Sequence, residues 1–236
     1  MINGLFGKLG NRYSIVYSPE LLVQVTLTGQ LALLMLIEAL CVEGVEVASA
    51  NTDGVVIKCR REKIDRVNAI VGAWEARTGF KTEEATYSSY YGRDVNNYIA
   101  VKTDGVTAKA KGVFAEGLPL QKNPVTPVCV DAVIWHLTLG ASIEQSILSC
   151  TDPRRFIAVR QVNGGALWQG EKFGRVNRWY YSTDGSPFTY ALNGNRVPRT
   201  EGAKPMMTLE AGVPEDLDYG WYVAEAYEML TDLGVE

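Results

Sequence analysis

Asp53 is the residue best placed to do chemistry. It stands in Asn51-Thr52-Asp53-Gly54, between two β-rich runs at 45–50 and 55–59. That pattern predicts a hairpin whose turn presents one carboxylate, a suitable ligand for Mg²⁺. A two-metal site needs at least two converging carboxylates, and no convincing second one is found in the chain. Taken alone, Asp-Gly between alternating apolar residues is also the commonest short hairpin signal, a plain turn. Asn3-Gly4-Leu5-Phe6-Gly7, in a stretch with three glycines between positions 4 and 10, predicts a loop or strained turn. By itself Tyr98 in Asn96-Asn97-Tyr98 reads as a packing residue.

Other groups carry less. His136 is the only histidine and has no recognisable nucleophile or carboxylate partner, so it reads as structural. Gly164-Gly165 is too short to cradle a phosphate. Arg154, Arg155, Arg160, Arg175 and Arg178 lie near Trp179, Tyr180 and Tyr181. Basic residues among aromatics suit nucleic-acid contact, and a solvated sheet face fits equally well. Arg196, Arg199 and Lys204, set among Gly and Pro, contact DNA backbone or nothing. The four cysteines, Cys41, Cys59, Cys129 and Cys150, form no C-x-x-C pair. With one histidine this argues against a zinc site and predicts reduced, buried thiols in a cytoplasmic compartment.

Elements that position these residues can be read from periodicity. Ser18 and Pro19 suit the start of a long helix, with Gly44 as its stop. Its apolar residues from Leu21 to Leu40 run nearly all round, which predicts burial on most sides. The most apolar part, 31–40, is about half of the roughly 20 residues a membrane span needs, and the N-terminus lacks a signal peptide's features, so no membrane partner is expected. An amphipathic helix at 62–77 places Ile64, Val67, Ile70, Val71 and Trp74 on one face. Strands are predicted between 81 and 114, including 95–101 and 109–114. Residues 1–116 thus read as helix, strand pair, helix, strands: an antiparallel sheet with helices on one face. Gly and Pro at 117–119 and 123–127 mark a boundary. Beyond it come helical residues 129–150 broken at 140–142, short strands over 155–191 and a last helix at 219–233.

At 236 residues, 47% of them hydrophobic, the chain can bury a sizeable core. Its net charge of −4 is unevenly spread. From Glu210 onward there are eight acidic and no basic residues, whereas 1–209 carry 19 acidic and 23 basic ones. An acidic C-terminal segment on a mildly basic body is compatible with DNA contact along one face.

Four short segments, in order, resemble the C-terminal half of the catalytic region of family B DNA polymerases, most closely the phage members. Asn3-Gly4-Leu5-Phe6-Gly7 is similar to the family's N-S-x-Y-G, with Gly for Ser and Phe for Tyr. Asn51-Thr52-Asp53-Gly54 is similar to D-T-D-S, with Asn for the first Asp. Asn96-Asn97-Tyr98 stands in the place of K-x-Y, with Asn for Lys. Ala110-Lys111-Gly112 is similar to T-K-G. The resemblance covers residues 1–115 well; the remainder corresponds to the thumb by position alone.

The resemblance implies an α+β fold: a palm-like antiparallel sheet with helices on one face over 1–117, then a smaller mixed thumb-like region over 118–236. It implies DNA-directed nucleotidyl transfer by a two-Mg²⁺ mechanism, with Mn²⁺ as a substitute. Asp53 would be the catalytic metal ligand. Asn3, Gly4, Phe6 and Gly7 would face the incoming dNTP, on a helix. Thr52, Asn96, Tyr98, Lys109, Lys111 and Gly112 would lie along primer-template DNA. The family's other essential Asp comes from a D-x-x-S-L-Y-P motif upstream of N-S-x-Y-G, as do the exonuclease and the triphosphate-binding basic residues. The expected partner is therefore an N-terminal polymerase chain carrying that Asp, and the chain is expected not to polymerise alone. Loss of the first turn Asp and of the K-x-Y lysine favours a competing class, a replication subunit that binds DNA and catalyses nothing. A structural or assembly protein with chance motif matches is the third reading.

Overall fold

The computed structural model describes residues 2–115 and 126–235, with side chains from Gly4 onward. It is an α+β protein, with six α-helices and four small antiparallel sheets among the described residues. The chain divides into two compact units, Met1–Ala85 and Thr86–Glu236. The boundary expected at 117/118 lies outside the described residues.

In the first unit, α1 (Ile2–Leu9) replaces the loop expected from its glycines. Each glycine costs a helix about 1 kcal/mol relative to Ala, but Leu5 and Leu9 share a face and Leu9 is buried. Helix α2 (Pro19–Val42) begins as expected, with Ser18 Oγ accepting from Leu21 N and Pro19 in the first turn. Gly44 follows it in the left-handed region, φ +67°. Lys63 Nζ donates to the carbonyls of Glu43 and Gly44, placing a cation at the negative end of α2. Strands β1 (Glu46–Ala50) and β2 (Val55–Lys58) pair antiparallel, with Ala50 opposite Val55 and Asn51–Gly54 as the connection.

Helix α3 (Ile64–Thr78) sets Val67, Ile70, Val71 and Trp74 against Leu36, Leu40 and Val45. Ile64, expected on that face, is exposed. Trp74 Nε1 donates to Ala32 O at 2.6 Å, fixing where α3 crosses α2. Burial of α2 on most sides is not observed: only Ala32, Leu36 and Leu40 are buried. One 15-residue helix, about 22 Å long, covers one stripe of a helix about 36 Å long. The apolar segment is also longer than the sequence reading allowed. By length and mean hydropathy (1.9) α2 is sufficient to cross a membrane.

In the second unit, β3 (Tyr87–Asp94), β4 (Asn97–Lys102) and β5 (Ala108–Lys111) form a sheet in that order. Among the described residues it shares no strand with β1–β2, so the single sheet expected over 1–116 is two separate sheets. Helices α4 (Pro127–Leu139) and α5 (Ile143–Leu148) are separated at 140–142 as predicted. Strand β6 (Ala158–Gln161) pairs with β9 (Val176–Tyr181), which pairs with β11 (Ala203–Pro205). Strand β7 (Ala166–Trp168) lies between β8 (Glu171–Phe173) and β10 (Thr189–Tyr190). Helix α6 (Tyr219–Asp232) closes the unit.

One core, including Ile99, Phe114, Val133, Ile147, Phe156, Val159 and Tyr222, joins the β3–β5 sheet to these later elements. Tyr222 ties it together. Its hydroxyl accepts from Tyr181 N and donates to Phe156 O, both at 2.8 Å, and its ring meets the Phe156 ring edge-on.

Candidate nucleic-acid interface

Cross-strand partners in an antiparallel ladder project from the same face of the sheet. Tyr98 is opposite Lys111 and Ala100 opposite Lys109; on the other side of β4, Tyr98 is opposite Gly92 and Ala100 opposite Tyr90. Tyr90, Tyr98, Lys109 and Lys111 therefore share one face. The alternate residues Tyr91, Ile99, Ala108 and Ala110 belong to the core side. Both lysines are exposed, and the two tyrosine rings lie 5.1 Å apart. A Cβ at Gly92 would come within 2.9 Å of the Tyr90 ring, so glycine opens the place that ring occupies. Cations beside aromatic faces suit a phosphate backbone with its sugars and bases.

The same sheet brings 96–98 and 110–112 together. Asp94 Oδ1 accepts from Asn96 N and Asn97 N, and Asn97 Nδ2 donates to both Asp94 oxygens at 2.8 Å. The backbone hydrogen bond from Asn96, then that from the Asn97 side chain, hold the Asp94 carboxyl below its ordinary range. Asn97 Oδ1 accepts from Val113 N at 2.8 Å, tying the turn to the residues after β5. Gly112 has φ +65°, and a Cβ there would collide with Asn96 O and Asn97 Oδ1. Gly112 thus serves the close approach of two backbones. Gly112→Ala should lower stability by at least about 2 kcal/mol, from the left-handed backbone plus the collision, read as a drop in the thermal or urea midpoint. An unchanged midpoint would show that the turn yields freely. The Asn96 side chain is exposed beside this junction.

The Asp53 turn is built locally. Asn51 N donates to Gly54 O at 2.9 Å, and Asn51 Oδ1 accepts from Asp53 N at 3.2 Å. Thr52 and Asp53 are exposed, and the Asp53 carboxylate makes no hydrogen bond or ion pair among the described residues. Among those residues no three Asp, Glu, His or Cys side chains converge as a metal-binding group. A lone outward carboxylate fits one ligand position of Mg²⁺, which is commonly held by one or two carboxylates with waters and substrate phosphates. Gly4, Phe6 and Gly7 lie on α1 and are exposed. Asn3 is in the same helix, with its side chain outside the described residues. The residues singled out in the sequence therefore divide: Asn3, Gly4, Phe6, Gly7, Thr52 and Asp53 in the first unit; Asn96, Tyr98, Lys109, Lys111 and Gly112 in the second.

The second basic-aromatic group is not a stacking surface. Trp179, Tyr180 and Tyr181 are buried in the core. Arg154 pairs with Asp152 at 2.7 Å, Arg155 pairs with Asp131, and Arg160 donates to Pro198 O at 2.6 Å. Arg199 pairs with Glu225. His136 Nδ1 lies 2.9 Å from Ala141 O, a local tie at the end of α4. The expectation of four buried thiols is also corrected. All four are free, but Cys41 is exposed and only Cys129 is buried, where burial pushes its thiol up to about 12.

Tyr90 was not picked out in the sequence, although its place in Tyr87-Ser88-Ser89-Tyr90-Tyr91 could have flagged a strand face. Nor was a polar network around Lys204. Its ammonium pairs with Asp216 and, at 3.4 Å, with Asp184. Tyr180 and Ser182 hydroxyls also bond Asp216. Burial pushes the Asp216 carboxyl up, but hydrogen bonds from Lys204, Ser182 and Tyr180 outweigh it and hold the carboxyl well below its ordinary range. Burial, then the bond to Asp216, raises Tyr180 to about 12. A carboxyl lowered on folding stabilises above its unfolded value and loses that contribution as pH falls toward the folded value. Lys204→Met should thus shift acid unfolding to higher pH, measured by circular dichroism between pH 2 and 6. Coincident acid transitions would show that the pair contributes nothing.

No known protein family matches the chain, and no curated protein matches it.

Proposed function

We propose that this chain is part of a DNA-directed DNA polymerase, a palm- and thumb-derived piece that acts with a polypeptide supplying a second catalytic Asp. The observation that carries the reading is the sheet face where Tyr98 and Lys111, from two of the four ordered polymerase-like segments, are direct cross-strand partners beside Tyr90 and Lys109. On this reading Lys109 and Lys111 bind phosphates of the primer-template, and Tyr90 and Tyr98 lie against its sugars or bases. Asn3 and Phe6, on α1, line the pocket for the incoming dNTP. Asp53 offers its outward carboxylate to Mg²⁺, or to Mn²⁺ as a substitute. When bound, the metal lowers the cost of negative charge on the attacking 3′-oxygen and the leaving pyrophosphate. The reading places the protein in the cytoplasm, where its DNA is.

DNA binding tests it. Each phosphate contact contributes about 0.9 to the slope of log K against log salt on duplex DNA. Lys109→Ala/Lys111→Ala should reduce that slope by about 2 and weaken binding evenly across sequences. An unchanged slope would remove this face from the DNA path.

A second reading is favoured by Asn51. With Asn at the first turn position, the hairpin brings one carboxylate where the resembling motif has two. That supports a DNA-binding replication subunit with a degenerate palm. It predicts the same salt response and no extension with any added chain.

A further inference from the structure

Helix α2 has no charged residue from Leu21 to Ile37, yet in its N-terminal half only the face of Leu22, Thr26 and Gly29 is partly covered, and the apolar residues on the other sides are exposed. At about 100° per residue, Val23, Leu27, Leu31 and Leu34 form one stripe, exposed at 55%, 51%, 59% and 47%. Leu21 and Val25, also about half exposed, stand on the opposite side, in line with the stripe that α3 covers from Ala32 to Leu40. The four side chains of the Val23–Leu34 stripe alone expose on the order of 400 Å² of contiguous apolar surface, the size of the largest patch on a monomer, which is often a contact site. Meanwhile the only buried apolar residues of the first unit, among those described, are Leu9, Ala32, Leu36, Leu40, Val45 and Val67. So small a core leaves the unit marginally stable on its own.

Three occupants can be weighed. A bilayer would place α3 in the hydrocarbon beside α2, and α3 carries Asp65, Arg66, Glu75 and Arg77. A second copy is opposed by charge. Glu20 and Glu38 extend the Val23–Leu34 stripe at its two ends, about 27 Å apart. An antiparallel pair centred on the stripe sets Glu20 against Glu38 at both ends, and a parallel pair sets each against itself. A different polypeptide, with an apolar strip bracketed by Lys or Arg, meets both requirements. Strand β1 follows α2 directly and packs on it, so a chain that brings a carboxylate to Asp53 must dock on this same unit.

We infer that the polypeptide supplying the second catalytic Asp also covers α2, completing the core of the first unit through the Val23–Leu27–Leu31–Leu34 stripe. The inference rests on the proposed function, and its test separates the two. This chain would be co-expressed with the segment of a complete phage family B polymerase that carries D-x-x-S-L-Y-P, and the complex isolated through a tag on that segment. A one-to-one complex is expected. Val23→Glu/Leu27→Glu, at exposed positions, should keep the helical circular dichroism signal and weaken the complex at least about 100-fold. No complex, or equal binding by the variant, overturns the inference. So does a dimer of this chain alone by sedimentation velocity, or flotation with 7:3 phosphatidylcholine–phosphatidylglycerol vesicles, if either is abolished by the same variant. A complex lost in Val23→Glu/Leu27→Glu but unable to extend a primer leaves the docking intact and counts only against the polymerase reading.

Discussion

On the proposed polymerase reading, replacing Asp53 by Asn should abolish primer extension by the reconstituted complex, a loss of at least about 10³-fold, while DNA affinity stays within about twofold. The size follows if Asp53 is, as proposed, one anionic ligand of a catalytic metal, which would supply several kcal/mol of transition-state stabilisation, at about 1.4 kcal/mol per tenfold in rate. The selectivity follows from the structure. The Asp53 carboxylate holds nothing in place, because the turn is closed by Asn51 through Gly54 O and Asp53 N. Asn at position 53 keeps the backbone donor, so the hairpin and its fold should persist. Extension by the Asp53→Asn enzyme at the rate of the parent would remove Asp53 from the chemistry. A matching loss of DNA binding would instead make it a structural residue of the turn.

The second large effect is expected at Tyr222. Tyr222→Phe should destabilise the second unit by about 2–4 kcal/mol, read from urea unfolding. The ring is retained, so the edge-on contact with Phe156 survives and no large cavity opens. What is lost is one hydroxyl that satisfies two buried backbone groups, Tyr181 N–H and Phe156 C=O. Leaving a buried polar group unpaired costs about 1–3 kcal/mol. An effect below about 0.5 kcal/mol would mean that both groups find other partners. Because Tyr222 is fully buried, the salt dependence of the DNA binding proposed for the Tyr98–Lys111 face should not change at temperatures where the variant is folded.

How much was legible in the sequence can be judged element by element. The start of α2 was, because Ser18 and Pro19 act within one turn of the residues they serve. So was the Asp53 hairpin, whose Asn51–Gly54 connection is closed by its own backbone and side chain. The break between α4 and α5 followed from Gly140, which adopts a left-handed conformation. All of these depend on neighbours a few residues away. The N-terminal glycines misled for a related reason: their local penalty was visible, but the packing of Leu9 that offsets it was not.

Tertiary structure alone decided which strands share a sheet. Alternation in β3, β4 and β5 shows two faces, but only the register Tyr98↔Lys111 and Gly92↔Tyr98 puts Tyr90, Tyr98, Lys109 and Lys111 on the same one. It also decided that Trp179, Tyr180 and Tyr181 are core, since an aromatic strand looks alike whether it faces solvent, DNA or another layer. The arginines beside them found partners 24 to 38 residues away, Asp131 for Arg155 and Pro198 O for Arg160, pairings that no local pattern encodes. Helix α2 makes the distinction most plainly. Its apolar residues determined that it would be a helix needing cover on nearly every side, because hydrophobic burial is non-directional and depends on area. Which part receives that cover was decided by where α3 crosses, at the Trp74–Ala32 hydrogen bond, and the stripe through Val23 and Leu27 remains exposed.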